Sequence, residues 1–376
     1  MLKGFYLTLM IGPAVPVAVS KSVLDALTSV EVVTTAGTSS SGFELNFTMS
    51  HHSPLETLFL LAGGVSIPLV RVVIVVTING TPEVLIDGVM THHEMRPGSD
   101  GGPSTLVIKG KDLSAVMDYI DFSGFPFPAM PAEARVLLIL AKYAIFGIVP
   151  LVIPSVLIDV PLPTERIHSQ RGKDLGYVRK LAEKVGYVFY LEPGPVPGMS
   201  FAYWGPEIKV GAPQPALNVN MDAHTNVESL SFGFNSEGRK MPFVVIQEPI
   251  SKVPIPLPIP DITPLNPPLG LIPAIPKGFY PLRGTAKLSP VQAIAIGLAK
   301  AAKSADSVSG TGTLNVLRYG RVLKARQLVG VRGVGTAFDG LHYVKSVTHK
   351  IKRGEYKQSF TLSRNGLVST LSKVPA

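Results

Sequence analysis

The sequence predicts a β-rich α+β fold: two small antiparallel β-barrel domains, an α+β module between them and a proline-rich insertion in the second. Three features point there. Short β-branched and aromatic runs, broken by turn residues, occupy both ends of the chain. Near the middle, an amphipathic helix passes through a glycine into a strand. Charged residues are only 16% of the 376, whereas proline (34) and glycine (36) abound, a mix suited to short strands and extended arms rather than a helical bundle. Two or three domains are expected at this length.

The first domain is expected over residues 1–120. Phe5 to Ile11 reads as a strand, and Ser22 to Leu27 as a helical turn or the start of the next strand. Val30 to Thr35 and Phe43 to Met49 read as a hairpin, because Phe43, Leu45, Phe47 and Met49 alternate with polar residues and bury one face. Pro54 to Leu61 is amphipathic and reads as a short helix. Leu69 to Ile78 is β-branched throughout, as in a strand buried on both faces. Asn79-Gly80 is a hairpin turn. Glu83 to Glu94 and Ser104 to Gly110 are the next strands, and Asp112 can cap a helix from Leu113 to Ile120. Meandering short strands close into a barrel to remove their edges.

The linker module is expected over 121–205. Gly124 to Pro131 is a proline-rich link, and Ala132 to Phe146 a helix with Leu137, Leu138, Ala141 and Ile145 inward. Pro150 to Pro163 is extended. Leu175, Val178, Leu181, Ala182 and Val185 form one apolar helical stripe, while Lys180, Glu183 and Lys184 lie off it. Asp174 caps that helix or supplies its first-turn acid, and Gly186 ends it in the left-handed conformation. Tyr187 to Leu191 is a buried strand, with Phe201 to Trp204 as its partner.

The second barrel is expected over 206–240 and 310–366, interrupted by a proline arm and helix at 241–309. Ala216 to Asn220, Val227 to Asn235, Leu314 to Leu317, Gln327 to Val331, Gly340 to Lys352 and Glu355 to Ser363 read as strands. Prolines crowd Pro242 to Pro281, so that stretch is expected as an extended arm rather than a packed sheet, since proline cannot donate to a ladder. Its apolar residues argue against a disordered linker. Ser289 and Pro290 open a helix to Lys303, with Ile294, Leu298 and Ala301 on one side.

Composition excludes several functions. With no cysteine there is no disulfide or thiolate metal site. The apolar stretches Met1 to Ser20 and Val136 to Ile158 imitate membrane signals. Pro13 and Pro16 interrupt the first, and Lys142, Gly147, Pro150 and Pro154 the second, so no direct membrane span is expected. The net charge of +9 is concentrated near the C-terminus, where Gly312 to Ala376 holds twelve lysines and arginines against two acids. Such a basic face suits nucleic acid, acidic lipid or an acidic protein surface, or is a solvated sheet face.

No constellation for chemistry emerges. The histidines are His51, His52, His92, His93, His168, His224, His342 and His349, and adjacent pairs on a strand point to opposite faces. His-Glu-x-x-His, an acidic calcium loop and Gly-x-Ser-x-Gly are all missing. Gly330 to Gly335 imitates a phosphate loop but lacks the lysine-threonine ending, and reads as a bulged turn. Neither catalytic, cofactor-binding nor metal-binding residues are expected, and the chain is read as a non-enzyme.

Three stretches carry a resemblance. Leu106 to Ser114 is Leu-Val-Ile-Lys-Gly-Lys-Asp-Leu-Ser. Gln170 to Leu191 contains Arg179-Lys180-Leu181-Ala182-Glu183 and Gly186-Tyr187-Val188-Phe189-Tyr190. Leu341 to Asn365 contains His342-Tyr343-Val344 and Phe360-Thr361-Leu362-Ser363-Arg364-Asn365. In order and spacing they resemble the central hub proteins of contractile injection machines: the phage late control D and tail-hub family, and the hub part of VgrG. The resemblance implies two tube-protein-like barrels per protomer and a homotrimer that presents six of them to a hexameric inner tube. It implies a structural baseplate hub, a symmetry adaptor assembled in the cytoplasm as part of a phage tail-like particle. Its partners would be inner-tube or tube-initiator proteins, baseplate wedge proteins and a spike, expected as a separate protein because the chain ends after the second barrel. The alternative is a nucleic-acid-binding β protein using the basic C-terminal barrel, for which stacking aromatics are sparse: Tyr319, Tyr343, Tyr356 and Phe360.

Overall fold

A computed structural model describes residues 4–13, 15–37, 39–49, 69–98, 102–155, 167–237, 239–247, 254–260, 263–282 and 290–371. The helix expected at 54–61, the Ser289 cap and His51 and His52 lie outside the described residues. The fold is β-rich α+β, as the composition implied.

The N-terminal strands follow the period-2 pattern. They are β1 (Phe5–Gly12), β2 (Leu27–Thr35), β3 (Gly42–Met49), β4 (Arg71–Ile78), β5 (Thr81–Arg96) and β6 (Ser104–Asp112), with helix α1 (Lys21–Ala26) ahead of β2. In β3, Phe43, Leu45, Phe47 and Met49 are buried, while β4 is buried on both faces. Asn79 and Gly80 have φ of +50° and +81°, the conformation a tight hairpin between right-twisted strands requires. Asp112 ends β6 and accepts from the backbone N–H of Ser114 (3.0 Å) and of Ser41 (2.6 Å), fixing a 3-10 turn over Leu113–Asp118.

The middle module consists of α2 (Ala132–Ala141), β7 (Ile148–Val152), α3 (Asp174–Val185), β8 (Val188–Pro193) and β9 (Ser200–Gly205). Strands β8 and β9 are antiparallel, and β7 joins β9 in parallel. The stripe of α3 is buried as its spacing required, with Tyr177 added, and Gly186 ends it at φ +75°. Asp174 is the first-turn acid rather than the cap: its buried carboxylate accepts from Tyr143 (2.6 Å) and Gln170 (2.6 Å) and pairs with Lys142 (2.6 Å). In α2 the expected inward face is wrong. Val136, Ile139 and Leu140 are buried, whereas Leu137, Leu138 and Ile145 are exposed. The segment is apolar all round, so periodicity left its facing undetermined, and Arg135, bonded to Tyr177 (3.1 Å), settles it. Another buried ion pair, Arg71 with Asp87 at 2.6 Å, ties β4 to β5 and donates onward to the Gly198 carbonyl, joining the first strands to this module.

The remaining strands are β10 (Gln214–Asn218), β11 (Val227–Phe234), β12 (Met241–Gln247), β13 (Pro254–Pro258), β14 (Gly270–Pro273), β15 (Phe279–Pro281), β16 (Val308–Asn315), β17 (Leu328–Arg332), β18 (Gly340–Lys352), β19 (Glu355–Arg364) and β20 (Gly366–Ser369), with helices α4 (Pro290–Ser304) and α5 (Val316–Tyr319). Val316 to Tyr319 is helical, not the end of a strand, because Asn315 accepts from the N–H groups of Leu317 (3.0 Å) and Arg318 (3.3 Å) and caps a turn there.

The proline-rich stretch is a second correction. It folds into a small sheet, ordered β13-β12-β15. Pro254, Pro256 and Pro258 fall at every second position of edge strand β13. Alternate residues direct their N–H groups to the same side of a strand, so the three missing donors all lie on the open edge, where no ladder needs them. Val244, Ile259, Leu282, Ala293 and Ala301 form the core between this sheet and α4. Of the residues expected on one side of α4, Ala301 and Leu298 pack on this core, whereas Ile294 is exposed.

Candidate assembly surface

Strands β1 to β6 run β1-β4-β5-β6-β3-β2 across their sheet, and six strands of the other half, leaving out β12 to β15 and β20, run β10-β17-β18-β19-β16-β11. Numbered by chain position, both are first-fourth-fifth-sixth-third-second. The irregularities repeat too. Val89, Met90 and His92 face Lys111, Gly110 and Lys109, skipping Thr91, while Tyr343, Val344 and Ser346 face Ser363, Leu362 and Thr361, skipping Lys345. Leu27 and Ser29 face Phe47 and Asn46, skipping Thr28, while Val227 and Ser229 face Leu314 and Thr313, skipping Glu228. Two features differ: β1 is antiparallel to β4 whereas β10 is parallel to β17, and the bulge between Ile74 and Val75 where β4 meets β5 has no counterpart between β17 and β18. Residues 235–307 stand where the first set has the short turn 36–41.

The two sets are not separate sheets. β18 is long enough to change partner at its bulge: Gly340 to Tyr343 pair with β17, and Ser346 to Lys352 pair with β2. Leu45, Phe47 and Val76 from the first set share one core with Leu314, Val347 and Phe360 from the second.

The face of this fused sheet turned away from the core is hydrophilic and rung-like. Ser231, Thr311, Thr361, Ser346 and Thr35 form one rung, and Ser229, Thr313, Ser359 and Thr348 the next. Hydroxyls meet across strands, Ser229 with Thr313 at 2.8 Å and Ser231 with Thr311 at 3.1 Å. The neighbouring rung is charged: Lys350 opposes Glu31, and Lys109 binds Glu44 at 3.1 Å. Burial opposes ionisation of Glu44, but the bonds from Lys109 and Asn46 and the charges of Lys109 and Arg96 together outweigh it and hold the carboxyl below its usual range.

Part of the basic C-terminal excess is paired or buried. Lys324 pairs with Glu83 (2.7 Å), Lys345 with Asp306 (3.0 Å), and Lys357 with both Glu228 and Glu355 (3.2 Å each). Arg326 lies over the Tyr190 ring. Arg364 is fully buried and donates to the carbonyls of Asp339 (2.9 Å) and Gly366 (2.7 Å). These five cations are engaged within the chain, whereas nucleic-acid binding uses solvated cations aligned on phosphates.

Two clefts mark the seam. An apolar one of about 430 Å³ lies among Phe5, Leu24, Leu27, Leu317 and Ile351, and a polar one of about 600 Å³ among Asn79, Glu83, Gln214, Arg321 and Lys324. Neither gathers a nucleophile with a base. His349 is buried, and its Nδ1 accepts from the Tyr356 hydroxyl at 2.8 Å; burial drives its pKa down to about 3. His342 is also buried and held down to about 3 by desolvation and by Arg364. His92 and His93 lie on β5, His168 beside the module, and His224 on a surface turn. Among the described residues no three His, Asp or Glu side chains converge as metal ligands, and no helix is long and apolar enough to cross a membrane.

No protein-family model matches the chain, and no curated protein matches it in sequence. Solved structures do match in shape. The tail protein from Neisseria meningitidis superposes with a TM-score of 0.64 at 12% identity, covering 97% of this chain and 98% of that one. The 43 kDa tail protein of prophage MuSo2 from Shewanella oneidensis gives 0.60 at 13%, over 96% and 98%. An Escherichia coli component of the type VI secretion system gives 0.53 at 11%, over 93% and 76%. At these identities the likeness establishes a shared fold over almost the whole chain.

What sequence reading missed is the junction of β18 with β2 and the strand edges around it. Pairing between residues more than 300 positions apart leaves no local pattern. The doubled bulge was the available clue, and it becomes visible only once partners are known.

Proposed function

We propose that this chain is one protomer of a homotrimeric central hub in the baseplate of a phage tail-like contractile injection machine. It would join a hexameric inner tube, directly or through tube-initiator proteins, to a trimeric spike, within a ring of wedge proteins. Its work is mechanical rather than enzymatic: three copies present six similar strand sets and so adapt threefold to sixfold symmetry. We divide the chain accordingly into strand domains 1–120 and 206–240 with 310–366, a linker module 121–205 and an insertion 241–309. Assembly in the cytoplasm into a tail-like particle belongs to the same reading.

The observation that carries this reading is the repeated strand order with its repeated bulges, fused into one sheet by β18 and β2. A junction of two like units is half of a repeating pattern, and symmetric repetition is how closed oligomers form. The fold shared with two tail proteins and a type VI component supports the same class of machine. Mass photometry and negative-stain imaging of the purified protein, alone and with the machine's tube and spike proteins, provide the test. A threefold ring with six-lobed outline that engages the tube is expected; a stable monomer indifferent to both partners overturns the proposal.

A further inference from the structure

In the fused sheet, the outer edge of β11 and the distal half of β5 beyond Met90 have no strand partner on one side among the described residues. They are the counterparts of the two strands that join inside the chain. Through the shared bulges, Ser346 of β18 corresponds to His92 of β5, and Thr35 of β2 corresponds to Asn235, just after β11.

We propose that the free edge of β11 in one copy adds antiparallel to the distal half of β5 in a second copy, in the register already used by β2 and β18. This rests on the hub reading above and supplies its contact. Inside the chain Ser346 faces Thr35, and the ladder runs on to Lys352 facing Ser29. Transferred between copies, His92 faces Asn235, His93 faces Phe234, Glu94 faces Gly233, Met95 faces Phe232 and Arg96 faces Ser231. The Ala36 N–H that donates to the Lys345 carbonyl (2.7 Å) has its counterpart in Ser236 and Thr91.

The side chains suit this register. His93 and Met95 stand opposite Ile108 and Leu106 of β6, on the core side. Phe232 and Leu230 of β11 also face the core. In the single chain Met95 is 45% exposed and Phe234 38%, large apolar groups left at both edges of one inner surface. Pairing brings them together and extends the shared core from copy to copy. On the outer row, Glu94 and Arg96 already neutralise each other at 3.0 Å, and Gly233 and Ser231 opposite them leave room for both. An exposed edge rich in such groups otherwise invites uncontrolled pairing, which a fixed register removes.

The chain has no native cysteine, so introduced pairs are its only thiols. One variant carries His93→Cys with Phe234→Cys, in register. A control carries Pro97→Cys with Phe234→Cys, displaced by four residues, or about 13 Å along the strand. Opposed residues in a ladder come within disulfide reach and displaced ones do not. After mild oxidation, covalent trimers are expected at least tenfold faster from the in-register pair. His92→Cys with Asn235→Cys, on the exposed outer row, repeats the test if the first variant fails to fold. If the proteins are trimers by mass but the control links as fast, or no pair links, the register is overturned and the hub reading stands. If the unmodified chain stays monomeric, the hub reading itself has failed.

Discussion

His349 shows how a single side chain sets a pH limit. Its Nδ1 accepts from the Tyr356 hydroxyl at 2.8 Å and from the Gln358 amide at 3.3 Å, and Gln358 in turn grips the Leu323 backbone through both its amide atoms. Desolvation in the core holds the pKa near 3, and a proton on Nδ1 would also abolish both acceptances. The unfolded chain takes that proton near its ordinary value of about 6.5. Stability from this residue is therefore complete above that pH and is lost as pH falls toward 3, by about 1.4 kcal/mol per unit. Urea denaturation at fixed protein concentration should show the parent losing, through this residue, roughly 2 kcal/mol between pH 7.5 and 5. In His349→Gln that share of the slope should vanish, since glutamine does not titrate. Equal pH slopes in the two proteins would show that the histidine titrates freely.

At the scale of elements, the corner of α3 and β8 is the most constrained. Gly186 sits at φ +75°, and a Cβ there would lie 2.9 Å from both the Ala295 carbonyl oxygen and the Ala299 Cβ of α4. The glycine thus ends one helix and seats another, holding the insertion against the module. In Gly186→Ala the left-handed backbone alone should cost about 1–2 kcal/mol, with the overlap on α4 added. The melting temperature should fall by a few degrees and α4 should become more open to limited proteolysis; an alanine variant melting at or above the parent would refute that account. This corner was legible in the sequence because its signals are local: an apolar stripe, a glycine, then aromatic and branched residues. Strands β3 and β4 were legible for the same reason. The facing of α2 was not, since Leu137, Leu138, Ile139 and Leu140 offer apolar side chains in every direction. Nor was the small sheet of the insertion, because prolines spaced by two weaken a strand by propensity yet suit an edge by geometry. That distinction depends on which neighbour the strand acquires.

For the whole molecule, the proposed function turns on whether the seam between the two strand sets is rigid. Seven residue pairs join β2 to β18, with Val30 and Val32 turned inward beside Ile351 and His349. No local pattern hints at this pairing, because neither strand carries a mark of so distant a partner. Opening the seam would expose the core that both sets share, so the sets should unfold together rather than as independent domains. The insertion has its own small core of Val244, Ile259, Leu282, Ala293 and Ala301, separate from the shared one, and is expected to open first. Hydrogen–deuterium exchange read by mass spectrometry should therefore place peptides from β2 and β18 in the slowest class, with those from β3 and β19, while peptides from β12 to β15 exchange first. If β2 and β18 exchanged as early as the insertion while β3 and β19 stayed protected, the seam would be a hinge. A ring assembled by repeating a hinge could not transmit the force of a contracting sheath, and the mechanical role proposed for this chain would have to be abandoned.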